Sequence, residues 1–153
     1  MGLFDWIKSG ASSGNGDSGG KQEAQALNDG LGELAGLNLR QVMDAHTAWK
    51  GRLQKVLDGT SDEDLDIATA SEDCHCFLGK WIYSEGKKLY GNLSEYESLR
   101  TAHAKFHVCA GEVLTQHKLG NHAESANLLN TKFRSASNRN QLELVSLFTA
   151  AKR

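Results

Sequence analysis

The chain has 153 residues, a formal net charge of −2 and 24% charged residues, a size for one domain with its own core and a balance that points to neither nucleic acid nor an acidic substrate. No stretch reaches the apolar length of a membrane span, the N-terminus has no signal-peptide core, and three cysteines, two of them nearly adjacent, argue against a secreted disulfide framework. The expectation is a reducing cytoplasm with thiols free or metal-bound, and the lack of any proline beside stretches rich in Ala, Leu, Lys and Glu predicts helices with few forced breaks.

In chain order, Met1–Lys8 (MGLFDWIK) is a short amphipathic segment whose Leu3, Phe4, Trp6 and Ile7 are candidates for docking into a protein groove, on a partner or on the chain's own bundle. Two turns with a single lysine fall short of the two signals that stable membrane anchoring takes. Ser9–Gly20 reads as a flexible Gly/Ser linker, completing a 1–20 unit. Residues 21–37 read as a weakly helical lead-in interrupted by Gly30, Gly32 and Gly36, and residues 38–153 as a helical bundle.

Asn38 followed by Gln41 predicts an N-cap with a capping-box partner. Leu39, Val42, His46, Trp49, Leu53 and Val56 then recur at spacings of three and four, a helix with one buried stripe that Asp58-Gly59 ends. Residues 60–71 are polar and acidic and read as a loop with room for a short turn. Asp73 is expected to cap a helix carrying Phe77, Leu78, Trp81 and Ile82 and stopping near Gly86, with KKLYGN as a connector. Ser94 and Glu97 form a second capping box for a helix with Leu99, His103, Phe106, Ala110 and Val113 on one stripe. Gly120-Asn121 breaks it, and a last helix carries Leu128, Leu129, Phe133, Leu144, Val145 and Phe148. Three long helices and a shorter one with short connections predict an all-α, antiparallel four-helix bundle.

His46, His103 and His107 stand where this pattern calls for apolar residues. Each buried imidazole needs a partner, and a metal serves all three at once. HxxxH puts His103 and His107 on one helical face, and His46 adds a third ligand from a second helix. A tetrahedral zinc shell lacks one ligand, and Cys74-His75-Cys76 offers three candidates. Neighbours on a helix turn by about 100°, so only one of the trio can aim at a given point. Cys76 is the choice: it lies near the third helical position after Asp73, where the helix dipole favours thiolate, and Gly79 on the same face leaves room. Cys74 aligns with Leu78 and Trp81, the packing face; His75 aligns with Ile82, as packing or surface. The acidic run Ser61–Asp66 reads as a solvated loop, although it, Asp44 or Asp73 could supply a carboxylate behind a liganding histidine. Cys109 reads as a small core residue, His117 lies about 21 Å along the helix from His103, and Trp49 and Trp81 read as packing.

Three motifs, HTAW (His46–Trp49), CFLGKW (Cys76–Trp81) and HAKFH (His103–His107), separated by 26 residues (50–75) and 21 residues (82–102), resemble the chemoreceptor zinc-binding (CZB) domain of bacteria. The resemblance covers the chain from about Asn38 onward. It implies zinc held by His46, Cys76, His103 and His107 inside a bundle that often forms a homodimer. It also implies a regulatory rather than enzymatic role, of the kind found on cytoplasmic chemoreceptors and diguanylate cyclases, reporting zinc or oxidants such as hypochlorous acid through the zinc-bound thiolate. This chain carries neither a signalling coiled coil nor a cyclase motif, so a free-standing member acting on a signalling protein in trans is expected.

Three other readings compete. A hydrolytic zinc site would leave a coordination position open, which a fourth protein ligand closes. A di-iron oxygen carrier needs HxxxE carboxylates, and Lys50, Gly79, Asn121 and Ala126 stand at those positions instead. A purely structural zinc bundle serving dimerisation or docking remains the alternative. For redox chemistry, Cys74 is expected to resolve a Cys76 sulfenic acid once the helix end frays, since in an intact helix the two point apart by about 200°; the other reading has Cys74 packing beside Trp81.

Overall fold

The computed structural model of the chain describes residues 32–153. The proposed docking residues Leu3, Phe4, Trp6 and Ile7, the linker and most of the lead-in lie outside the described residues. A two-residue hairpin opens the fold, β1 (Glu33–Leu34) against β2 (Leu37–Asn38), with Leu34 paired to Leu37. Ala35 (φ 49°) and Gly36 (φ 81°) both turn left-handed, as the tightest hairpins require. Helices follow as α1 (Leu39–Asp58), α2 (Ile67–Ser71), α3 (Phe77–Trp81), α4 (Lys87–Tyr90), α5 (Ser94–Lys118), α6 (His122–Leu128) and α7 (Arg134–Ala151). Wider π turns, Ile82–Gly86 and Leu129–Phe133, join α3 to α4 and α6 to α7 without a break.

The core has two parts. One gathers the starts of α1 (Leu39, Val42) and α5 (Tyr96, Leu99), the end of α7 (Leu144, Leu147, Phe148), α3 (Leu78, Trp81) and Ile82. The other gathers the later turns of α1 (Trp49, Leu53) and α5 (Phe106, Ala110, Val113) with Leu129, Phe133 and Ala136. Thus α1 and α5 run one way and α6–α7 the other, with α3 packed at the first half of the core, and the helical bundle is what the stripes predict.

Asn38 caps α1, its side chain accepting from the Gln41 amide at 3.0 Å, and Gly59 closes that helix at φ 72°. Elsewhere the elements differ from the reading above. The polar stretch 60–71 contains α2, capped by Asp66 accepting from the Thr69 amide at 2.9 Å; one helical turn is too short for periodicity to register. Asp73 caps nothing. It accepts a hydrogen bond from the Tyr83 hydroxyl at 2.5 Å, and α3 starts later, with Cys76 itself as N-cap. Gly86 does not stop the helix. A Cβ there would meet the Trp81 ring at 2.7 Å, so glycine serves close packing and KKLYGN begins with α4 rather than a connector. Ser94 is the first residue of α5, not its cap; Leu93 holds the cap position without a side-chain bond. The packed unit also reaches back before Asn38, because Leu34 and Leu37 are buried and the Trp81 indole donates to the Ala35 carbonyl at 3.0 Å.

Gly79 is the tightest point. A Cβ there would stand 1.6 Å from the Asp73 carbonyl oxygen. Gly79→Ala should therefore cost about 3 kcal/mol or more, as overpacking against backbone does. Gly51→Ala, on the exposed face of α1 with nothing within 4 Å of the new methyl, should stabilise by about 0.5–1 kcal/mol. Urea unfolding of both variants checks the pair; a mild Gly79→Ala would mean that the loop 72–76 yields easily.

Candidate metal centre

The histidines sit at the level where one half of the core gives way to the other. On α1, His46 follows Val42 and precedes Trp49; on α5, His103 follows Leu99, and His107 follows Phe106. All three are buried, and Cys76 is half-buried. One donor atom from each of His46, Cys76, His103 and His107 lies within 4.8 Å of every other. His103 Nε2 is 3.2 Å from His107 Nε2 and 3.2 Å from Cys76 Sγ. Around a tetrahedral zinc with nitrogen at 2.0–2.1 Å and sulfur near 2.3 Å, those edges would measure about 3.3 and about 3.6 Å. These two edges match such an ion to within a few tenths of an ångström, and His46 brings a fourth donor atom within 4.8 Å of the other three.

Tautomers sharpen the fit. His46 Nδ1 donates to the Val42 carbonyl at 2.8 Å and His107 Nδ1 to the Ala70 carbonyl at 2.9 Å. Each bond leaves Nε2 with a lone pair aimed at the cluster, and His46 Nε2 is buried with no hydrogen-bond partner. Lone pairs of several imidazoles converging on one dry point repel unless a cation or proton lies between them. Backbone carbonyls, rather than the carboxylates that Asp44, Asp73 or the acidic run could have supplied, stand behind these two histidines. Asp44 pairs with Arg40 at the surface, Asp73 takes the Tyr83 hydroxyl, and Glu63 of the acidic run pairs with Arg52. The Ala70 carbonyl comes from α2, inside the stretch read as loop. Gly111 of α5 lets α2 approach so closely that a Cβ would stand 1.9 Å from Ser71 Oγ.

Cys76 reaches the cluster from the N-cap of α3, where its Sγ accepts from the Gly79 amide at 3.3 Å. This is a more direct anion site than the third helical position expected. Cys74 does not pack beside Trp81. With residues 73–76 in a turn rather than a helix, it is exposed, and His75 faces solvent beside Glu72. Trp81 stacks on Tyr90, while Trp49 stands edge-on to His107 at 6.0 Å and walls the cluster. The Arg52 guanidinium lies 4.4 Å over Trp49, so that ring binds a cation as well as packing. Cys109 is buried in the core, and the His117 and His122 rings meet each other at the far end of α5.

Burial holds all three imidazoles in the neutral, ligand-ready form. It lowers His46 to about 4, against the Val42 hydrogen bond, which pulls up. It lowers His103, helped by the two neighbouring imidazoles, and it lowers His107, where the Ala70 carbonyl opposes. Burial also pushes the Cys76 thiol up to about 11, although the Gly79 and Leu78 amides pull it down. A coordinated thiol is deprotonated outright, so the anion at this position depends on a bound cation.

Residues 46–114 match the chemoreceptor zinc-binding domain family, a span holding all four clustered side chains. No curated protein and no solved structure matches the chain significantly. Among the described residues no helix is long and apolar enough to cross a membrane.

Because the imidazoles titrate lower in the fold than in the unfolded chain, the unfolded state binds more protons once pH drops below about 6.5. After chelation, stability should be fully present above pH 6.5. It should then fall as pH descends through about 4 for His46, each buried histidine contributing at most about 1.4 kcal/mol per pH unit. Urea midpoints between pH 7.5 and 4 measure this. With zinc loaded the decline should begin at lower pH, and a flat profile after chelation would mean that the imidazoles are already protonated or solvated.

Proposed function

We propose that this chain is a zinc-binding regulatory module of bacterial signalling, of the chemotaxis or cyclic-di-GMP type. It works in the cytoplasm as a homodimer, responds to zinc or to oxidants such as hypochlorous acid, and acts on a signalling protein in trans. The observation that carries the reading is the convergence of four neutral or anionisable donors, from α1, the N-cap of α3 and α5, on one dry point. The match of residues 46–114 to the chemoreceptor zinc-binding domain family supports it. His46, Cys76, His103 and His107 are the ligands. Zinc bound there supplies a positive charge that keeps Cys76 as thiolate and the imidazoles neutral.

The chain's own residues then carry the signal. Cys76 is both ligand and N-cap, so whatever removes its sulfur from the cluster also uncaps α3. Five residues on, Trp81 of α3 donates to the Ala35 carbonyl in the hairpin. A change at the thiolate therefore reaches the point where the N-terminal segment enters the bundle, and Leu3, Phe4, Trp6 and Ile7 are assigned the partner contact beyond it. A purely structural zinc bundle for dimerisation or docking is the second reading, favoured by the four protein ligands that leave no open position.

Purified protein should carry one tightly held zinc per chain, with one sulfur and three nitrogen neighbours by X-ray absorption. His46→Ala or His107→Ala should lower occupancy sharply and Cys109→Ala should not. Two sulfurs per zinc would overturn the ligand set. The two readings part under hypochlorous acid: a regulatory site loses zinc in step with Cys76 oxidation, measured by mass spectrometry in a Cys74→Ser background. A structural site keeps its zinc at the same dose.

A further inference from the structure

The turn between α2 and α3 splits its metal-binding side chains between two directions. Cys76 points into the bundle. Glu72, Cys74 and His75 stay at the surface, where a carboxylate oxygen, the thiol sulfur and an imidazole nitrogen also lie within 4.8 Å of one another. His75 Nε2 contacts a Glu72 carboxylate oxygen directly. A carboxylate alone is an ordinary surface group, but a sulfur, a nitrogen and an oxygen converging from four consecutive positions form the donor set of a three-ligand zinc site. The turn that presents them is also fixed. The Glu72 amide donates to the Ala68 carbonyl at 3.2 Å and closes α2, Asp73 is held by the Tyr83 hydroxyl, and the Asp73 carbonyl sits where any side chain on Gly79 would be. Three ligands on a braced turn are partly preorganised, which reduces the ordering cost of binding.

We propose that Glu72, Cys74 and His75 form a second, exchangeable site for a thiophilic divalent ion, zinc itself, and that this site loads the buried cluster. Three protein ligands leave the fourth position to water or to an incoming ligand, so the ion is held less tightly than in a closed shell and can be passed on. The next residue along the chain is Cys76. An ion on Cys74 and His75 is therefore adjacent along the chain to the one cluster ligand that is not on a long helix, half-buried Cys76, and the transfer is a ligand exchange: Cys76 gives up its thiol proton to solvent as the ion leaves the surface thiolate, which is reprotonated. No redox partner is needed. The loading role rests on the buried cluster being the zinc site; the binding itself does not.

The full chain, stripped with a chelator and titrated with zinc chloride against a chromophoric competitor, should take up two equivalents, one tight and one weaker. Cys74→Ser/His75→Ala should bind only the tight one, with helical circular dichroism unchanged because both side chains are exposed. His103→Ala/His107→Ala should lose the tight equivalent and keep the weaker one, so that failure of the buried site and failure of the surface site are read separately. Cobalt(II) in the second variant should give a sulfur-to-metal charge-transfer band that Cys74→Ser removes. Stopped-flow loading of the buried site at limiting zinc should be slower in Cys74→Ser/His75→Ala than in wild type. A wild-type chain saturating at one equivalent, or a double surface variant that still takes two, overturns the second site. Loading at the wild-type rate in that variant overturns its role as the entry.

Discussion

Three imidazoles packed against one another in an apolar bundle are tolerable only if every lone pair has somewhere to point. Burial disfavours protonating them, since a charged imidazole in this core would be poorly solvated. The bundle resolves this by fixing two of the rings through Nδ1 to the Val42 and Ala70 carbonyls and turning their Nε2 atoms inward to a shared point beside the Cys76 sulfur. Much of the surrounding architecture follows from that demand. The short helix α2 brings the Ala70 carbonyl, Gly111 opens α5 to it, and Gly79 lets the turn before α3 fold tightly enough for Cys76 to reach inside.

The long helices were legible because their stripes are long: α1, α5 and the helical run through α7 each repeat the three-and-four spacing over several turns. The polar interruptions at His46, His103 and His107 were legible for the same reason, since they break an otherwise apolar register. What stayed hidden is short or local. Five-residue α2 has no period to reveal. The cap of α3 shifted from Asp73 to Cys76 because a cysteine sulfur can take the capping role, a use that cap preferences do not anticipate. The acidic side chains that could have supported the liganding histidines do not, because a backbone carbonyl serves equally and leaves no mark in the sequence. Asn140 is a further residue that no motif flagged. It is buried on α7 between Ala136 and Leu144, and so also between the two halves of the core, with both amide atoms unpartnered among the described residues.

Cys74-His75-Cys76 looked like one site and cannot be one, for a reason other than the helical geometry first invoked. The three do not lie on a helix. They lie in a turn that sends one side chain inward and two outward, and Glu72 joins the outer pair. Reading three adjacent soft ligands as a unit would have given the wrong sulfur count for the buried cluster and missed the surface set. The same turn brings the redox question to one place: the thiol that caps α3 is half-buried, and its neighbour two residues earlier is exposed.

The spacing of the clustered residues along the chain also bears on how the protein folds. His103 and His107 are brought together as soon as α5 coils, but Cys76 must cross 27 residues to His103, and Ala70 must cross 37 to His107. Such long closures carry an entropy cost that only the finished core repays. The set of three nitrogens and one sulfur therefore exists only once the helices have docked, so a donor set of this composition marks a molecule that has completed its fold.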